Sequence, residues 1–131
     1  MDLLSAVVGW HRERPRLTIE ADWGKLLTNN LVLTVRNRGP KEARIERLYL
    51  MVHSSKLGSR ALKIVGLPYI EKNDIPKWIA SGEPAYFNVM LDLLDLRLKV
   101  VGYEGGCRLT PVVEDSLDNV YKGASVVHNV P

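Results

Sequence analysis

The sequence predicts an all-β domain, a two-sheet sandwich of about seven strands behind a short N-terminal helical or extended arm. Two observations carry this. Several segments place apolar residues at every second position, the period of a half-buried strand. Clusters of Gly, Pro, Asn, Asp and Ser punctuate those segments, as turns require. The chain of 131 residues fits one domain with its own core. Its division is an arm over 1–15 and a sandwich over 16–131.

The arm comes first. Leu3, Leu4, Val7, Val8 and His11 recur at helical spacing. A helix this short is unstable alone and needs something to dock on. Pro15 resists its continuation. From Arg16 the period changes to two. Leu17, Ile19, Ala21 and Trp23 share one face, and Thr18, Glu20 and Asp22 the other. Leu31, Leu33 and Val35 alternate in the same way with Val32, Thr34 and Arg36. Asn37-Arg38-Gly39-Pro40 is a turn signal, and a strand follows over Ala43 to Val52. Its alternation has one flaw, because Ile45 has the opposite parity to Leu48, Leu50 and Val52. A β-bulge near Glu46-Arg47 restores the inward direction, since one extra residue flips the faces.

The stretch from His53 to Pro84 is less regular. HSSKLGSR reads as a loop and Ala61 to Val65 as a short strand. LPYIEKNDIPKWIASGEP holds three prolines and a glycine, which oppose regular structure. Ile79 to Glu83 turns into a strand from Tyr86, with Phe87, Val89 and Leu91 facing the core. DLLDLR, residues 92–97, is expected to form one helical turn crossing between sheets. Lys99 to Tyr103 and Arg108 to Glu114 are expected strands, the second demoted to an edge or a bulge by Pro111. Asp115 to Asn119 is a turn, and Val120 to Val127 returns as the last strand. Trp23 and Trp78 read as core plugs.

Composition excludes some classes. Hydrophobic residues make up 46% and charged residues 25%, values of an ordinary globular domain rather than a disordered one. No apolar run approaches the ~18 residues of a membrane span. Asp2 ahead of the apolar patch is the wrong charge order for a secretory signal. A cytoplasmic or virion location is therefore expected. The lone Cys107 forms no internal disulfide and reads as a small buried hydrophobe. Net charge is +3 but uneven. Residues 1–65 carry twelve Lys and Arg against six Asp and Glu, and residues 66–131 carry six against nine. The two parts are thus +6 and −3; a solvated mixed surface is the favoured account, with nucleic acid on one side or head-to-tail attraction between copies as the alternatives.

Three pieces, VRNRGPKEARIERLYL, WIASGEPAYFNVML and RLTPVVEDSLDNVYKG, follow one another in an order that resembles immunoglobulin-like β-sandwich modules of small bacterial and phage proteins of unassigned role. In such modules a strand ending in Asn-x-Gly leads to a strand of the second sheet. A Gly-Glu turn opens a later strand, and an Asp-Ser-x-x-Asn hairpin closes the domain. The resemblance spans Leu17 to Gly123. No Cys…Trp…Cys core is present, so antibody-type domains are not implied.

Catalytic and metal signatures are absent from the sequence. His11, His53 and His128 lie far apart, and no HExxH or Cys-x-x-Cys spacing occurs. Glu114, Asp115 and Asp118 lack the glycine and distal glutamate of a calcium loop, and a hairpin turn accounts for them. There is no Gly-x-Ser-x-Gly elbow and no phosphate-binding glycine pattern. Asp92 and Asp95 can share a helical face, and a small hydrolase would need a pocket joining them with His53. No cofactor, catalytic residue or metal site is expected.

The expected function is non-enzymatic: a structural or protein-interaction module, as in a phage virion connector, decoration or tail protein, or an adaptor. Leu3, Leu4, Val7, Val8 and Trp10 of the arm would dock on a partner or another copy, oriented by Arg12 and Arg14. The 53–84 segment would add a second surface anchored by Tyr69, Ile70 and Trp78. The alternative is a ligand-binding sandwich. It would take nucleic acid on a basic hairpin of Arg36, Arg38, Lys41, Arg44 and Arg47, or carbohydrate.

Overall fold

A computed structural model describes residues 16–24, 30–54, 61–64, 66–70 and 75–131. Among these the chain forms β1 (Leu17–Trp23), β2 (Asn30–Asn37), β3 (Ala43–His53), β4 (Ala61–Ile64), β5 (Lys77–Ile79), β6 (Pro84–Met90), α1 (Leu91–Val100), β7 (Gly105–Asp115), β8 (Val120–Lys122) and β9 (Val126–Val130). Two antiparallel sheets face each other. The first has the order β1-β2-β6. The second is built on the central pair β3 and β7.

The alternation read in the sequence sets the rungs of the first sheet. Ile19 lies opposite Val35, and Val35 opposite Ala85; Ala21, Leu33 and Phe87 form the next rung. These side chains are buried against Ile45, Leu48, Leu50, Val52, Leu109 and Val113 of the same core. Each fully buried aliphatic contributes about 1.5–3 kcal/mol, so the two inner faces supply most of the driving force.

The bulge in β3 is present. Ile45 pairs with Asp115 and Arg47 with Glu114, and the register slips between them. That extra residue is why Ile45 on one side of the slip, and Leu48, Leu50 and Val52 on the other, all point inward.

The passage from β2 to β3 changes sheets, so the two strands are not a hairpin. Asn37 holds this crossing. It is fully buried, and its Nδ2 donates to the carbonyls of Lys41 at 2.7 Å and Ile79 at 3.0 Å. Its Oδ1 accepts from the Gly39 amide at 2.9 Å. One side chain therefore ties together the crossing loop and β5.

The described residues of the 53–84 segment include two strands, one of them amid the prolines. β4 pairs with Leu50–His53 of β3, and β5 pairs with Ala43–Ile45 farther down the same edge. The far edge of β7 is shared in the same way. β9 takes residues Gly105–Leu109 and β8 takes Val112–Glu114. The expected last strand is thus two strands.

Pro111 sits at the junction, in a central strand rather than at an edge. Its carbonyl accepts from the Gly123 amide at 3.0 Å. Its nitrogen faces the same side, into the gap between β8 and β9 where no ladder bond is made. Gly123 is required there, because a Cβ would lie 2.2 Å from the Ile19 carbonyl oxygen of β1.

The crossing from β6 back to the second sheet is α1, ten residues long rather than one turn. It absorbs Lys99 and Val100, which were expected in a strand. Its C-terminus explains the stop. The Tyr103 amide donates to the Leu98 carbonyl and the Gly102 amide to the Lys99 carbonyl, with Gly102 at φ +92°. This is a Schellman ending, and buried Tyr103 packing beside buried Leu98 is its usual apolar contact.

Both tryptophans expected in the core are at the surface. Trp78 is 57% exposed on short β5, and Trp23 is 40% exposed at the end of β1. Leu91 opens α1 instead of ending a strand and is half-buried.

Candidate functional site

α1 is leucine-rich on nearly every side. Leu94 and Leu98, one turn apart, are fully buried against the core. Leu93, Leu96 and Val100 occupy the opposite face at spacings of three and four, and they are exposed, Val100 to 78% and Leu96 to 57%. Val101 continues the patch into the turn. Between this face and β4 runs a groove of about 460 Å³ lined by Leu62, Lys63, Ile64, Leu96, Arg97 and Val100. The Arg97 guanidinium donates to the Gly66 carbonyl at 2.5 Å, which fixes one rim. An apolar stripe left open beside a groove is the usual mark of a contact surface.

A second recess, of about 240 Å³, is lined by residues including Tyr49, Leu67, Tyr69 and Ile75. At its wall the Tyr49 hydroxyl donates to Glu114 Oε2 at 2.6 Å. The Arg47 guanidinium holds Oε1 of the same carboxylate at 2.9 Å, and the Lys63 ammonium lies 4.2 Å from the centre of the Tyr49 ring. Burial, reinforced by the Glu114 carboxylate, pushes Tyr49 up to about 12. The Tyr49 hydrogen bond, with Arg47 behind it, holds Glu114 below its usual range. Both groups therefore keep one protonation state near neutral pH, which suits a fixed strut better than proton transfer.

A third cluster joins distant residues. Cys107 of β7 and His128 of β9 are opposite each other in register, and the His128 Nε2–H donates to Asp95 of α1 at 2.5 Å. The Trp23 ring lies 5.5 Å from the His128 ring. Cys, His and Asp together invite comparison with a nucleophilic triad. Burial, with the Asp95 carboxylate adding to it, raises the Cys107 thiol above its ordinary value. A thiol kept protonated is a poor nucleophile, so the cluster reads as packing around the root of α1.

The residues expected to act fall out as follows. Leu3, Leu4, Val7, Val8, Trp10, Arg12 and Arg14 lie outside the described residues. Tyr69 is half-buried, its ring 6.1 Å from Phe87, and so belongs to the core margin rather than to an exposed anchor. Ile70 and Trp78 are exposed, but Ile70 is bonded to Asn88 of β6 and Trp78 stands on β5 beside β3, on different sheets. The basic residues do not share a hairpin, because β2 and β3 belong to different sheets. Arg36 reaches the Gly82 carbonyl at 3.3 Å. Arg44 pairs with Glu46 at 3.2 Å and lies over the Trp78 ring. Arg47 is held by Glu114, while Arg38 and Lys41 are exposed in the crossing. Asp95 meets His128 rather than His53, which sits at the end of β3 opposite Ala61 and Arg108. Among the described residues no three His, Cys, Asp or Glu side chains group as a metal site, and no helix is long and apolar enough to cross a membrane.

The α1 face was missed by sequence reasoning, although its signal was there. Leu93, Leu96 and Val100 recur at helical spacing, but a helix ending at Arg97 drops Val100 from the stripe.

No family model and no curated protein matches the sequence. Among solved structures, the ApaA protein from Bordetella pertussis is similar over 91% of this chain and 97% of that one, with 15% identity and a TM-score of 0.44.

Proposed function

We propose that this protein is a non-enzymatic, immunoglobulin-like module that works by protein contact, as a structural component or adaptor of a larger assembly. The observation that carries the reading is the uncovered apolar face of α1 running into the groove beside β4. Water is excluded from such a surface only by a partner, and the gain is about 25 cal/mol per Å² of apolar area covered. The strand arrangement supports the immunoglobulin-like part. β1, β2 and β6 form one layer, β3, β7 and the β8–β9 edge the other, with both the β2–β3 and β6–β7 passages changing sheets, as in that class of sandwich. The arm over 1–15 supplies a second contact in this reading, through Leu4, Val8 and Trp10. Ile70 and Trp78 mark further exposed apolar points.

Native mass spectrometry of the tagged full chain, purified gently from its own cells, tests this. A stoichiometric complex is expected, with itself or with one other protein, and it should be lost in the Leu96→Asp, Val100→Asp variant. A free monomer in both cases would overturn the reading.

A further inference from the structure

We infer that the open face of α1 receives the same face of a second copy, the two helices packing antiparallel about Leu96. This rests on the contact reading above and names the partner. The argument begins with the helical wheel. At about 100° per residue, Leu93, Leu96 and Val100 fall within one narrow stripe, roughly opposite buried Leu94 and Leu98. Asp92 and Lys99 fall together on one flank of that stripe, at the two ends of the helix. Both are exposed, and neither makes an ion pair among the described residues.

Antiparallel packing brings like flanks of two helices together, whereas parallel packing brings unlike flanks together. In the antiparallel case, with Leu96 against its own copy, Leu93 meets Val100 and Asp92 meets Lys99. The Leu96 contact lies on the two-fold axis and occurs once, and each of the other two pairings occurs twice, as a two-fold interface demands. The same register therefore satisfies the apolar stripe and the charges at once. Parallel packing would instead turn that flank toward the one carrying Arg97, whose guanidinium is already held by the Gly66 carbonyl, so Asp92 would gain no free partner there and Lys99 would meet a like charge. Leu62 in the adjoining groove extends the apolar area beyond the helix. A ten-residue helix is only about 15 Å long, short of the roughly 800 Å² per partner of a standard interface. The dimer is accordingly reversible, in the micromolar class.

Sedimentation velocity of the full chain from micromolar to near-millimolar concentration reads the equilibrium. A concentration-dependent dimer is expected for the wild type, and a monomer for Leu96→Asp. Asp92→Lys and Lys99→Asp alone each set like charges together twice and should weaken the dimer about five- to tenfold. The double variant should recover most of that loss, while circular dichroism melts report whether each variant keeps its fold. A wild-type monomer throughout, or a dimer indifferent to Leu96→Asp, would overturn the inference. So would a double swap as weak as the single ones. A monomer that binds a different protein through Leu96 would leave the contact reading standing and remove only this one.

Discussion

His128 in β9 donates to the Asp95 carboxylate in α1 at 2.5 Å, joining the helix to the second sheet. Both side chains are largely buried. His128→Ala removes the donor and leaves a carboxylate in a dry setting. A loss of about 1–3 kcal/mol is expected from urea unfolding. An unchanged midpoint would mean that the helix is seated by Leu94 and Leu98 alone.

Gly123 and Ile19 make the closest approach between β1 and the second sheet among the described glycines. Gly123→Ala drives a methyl group into the Ile19 carbonyl, 2.2 Å away, so one strand must move. The expected cost is about 1–3 kcal/mol or more. Gly106→Ala is the control. Its added methyl meets nothing within 4 Å, and its effect should stay within about 0.5 kcal/mol. Equal thermal shifts for the two would contradict the packing described.

Asn37 should be poorly replaceable. Asn37→Ala strands two carbonyls and an amide in a buried crossing and is expected to cost about 2–4 kcal/mol. Asn37→Asp should be worse despite its similar shape. It can still accept from Gly39, but it sets a carboxylate against the carbonyls of Lys41 and Ile79. If the aspartate variant proved the more stable of the two at neutral pH, the donor role assigned to Nδ2 would be wrong.

Stability should fall at both pH extremes. Tyr49 and Tyr69 are each pushed up to about 12, chiefly by burial. The folded state then holds protons that the unfolded chain releases near pH 10. Their contribution is complete below about pH 10 and is lost as pH rises toward 12. Glu114 has the opposite sign. Its folded value is depressed by Tyr49 and Arg47, so its contribution is present above the ordinary glutamate value and disappears as pH falls through the folded one. Urea midpoints against pH should show a shallower alkaline limb in the Tyr49→Phe, Tyr69→Phe protein. Glu114→Gln should have a shallower acid limb. Limbs identical to wild type would disprove these assignments.

The open face of α1 was only half legible in the sequence. Leu93 and Leu96 announce an apolar helix face, but whether such a face is core or surface depends on which side the β6–β7 crossing turns toward the sheets. Asp95, Cys107 and His128 are 12 or more positions apart in the chain, and no local pattern links them. The basic residues from Arg36 to Arg47 misled for a related reason. Adjacent strands joined by a Gly-Pro turn usually pair, and here Asn37 instead pins the connection to β5 and sends β3 to the other sheet.

By itself the sequence determined what depends on neighbours along the chain. The inward faces of β1, β2 and β6 follow from alternation, the slip between Ile45 and Arg47 follows from a break in parity, and the turn at Asp115 follows from side chains that bond their own backbone: Asp115 Oδ1 accepts from the amides of Leu117 and Asn119. Only the tertiary structure decided which strands pair, why Pro111 is tolerated at the centre of a sheet, and which side of α1 is left open. Those outcomes depend on contacts between residues distant in the chain, whose free energy is set by shape and burial and not by any local spacing.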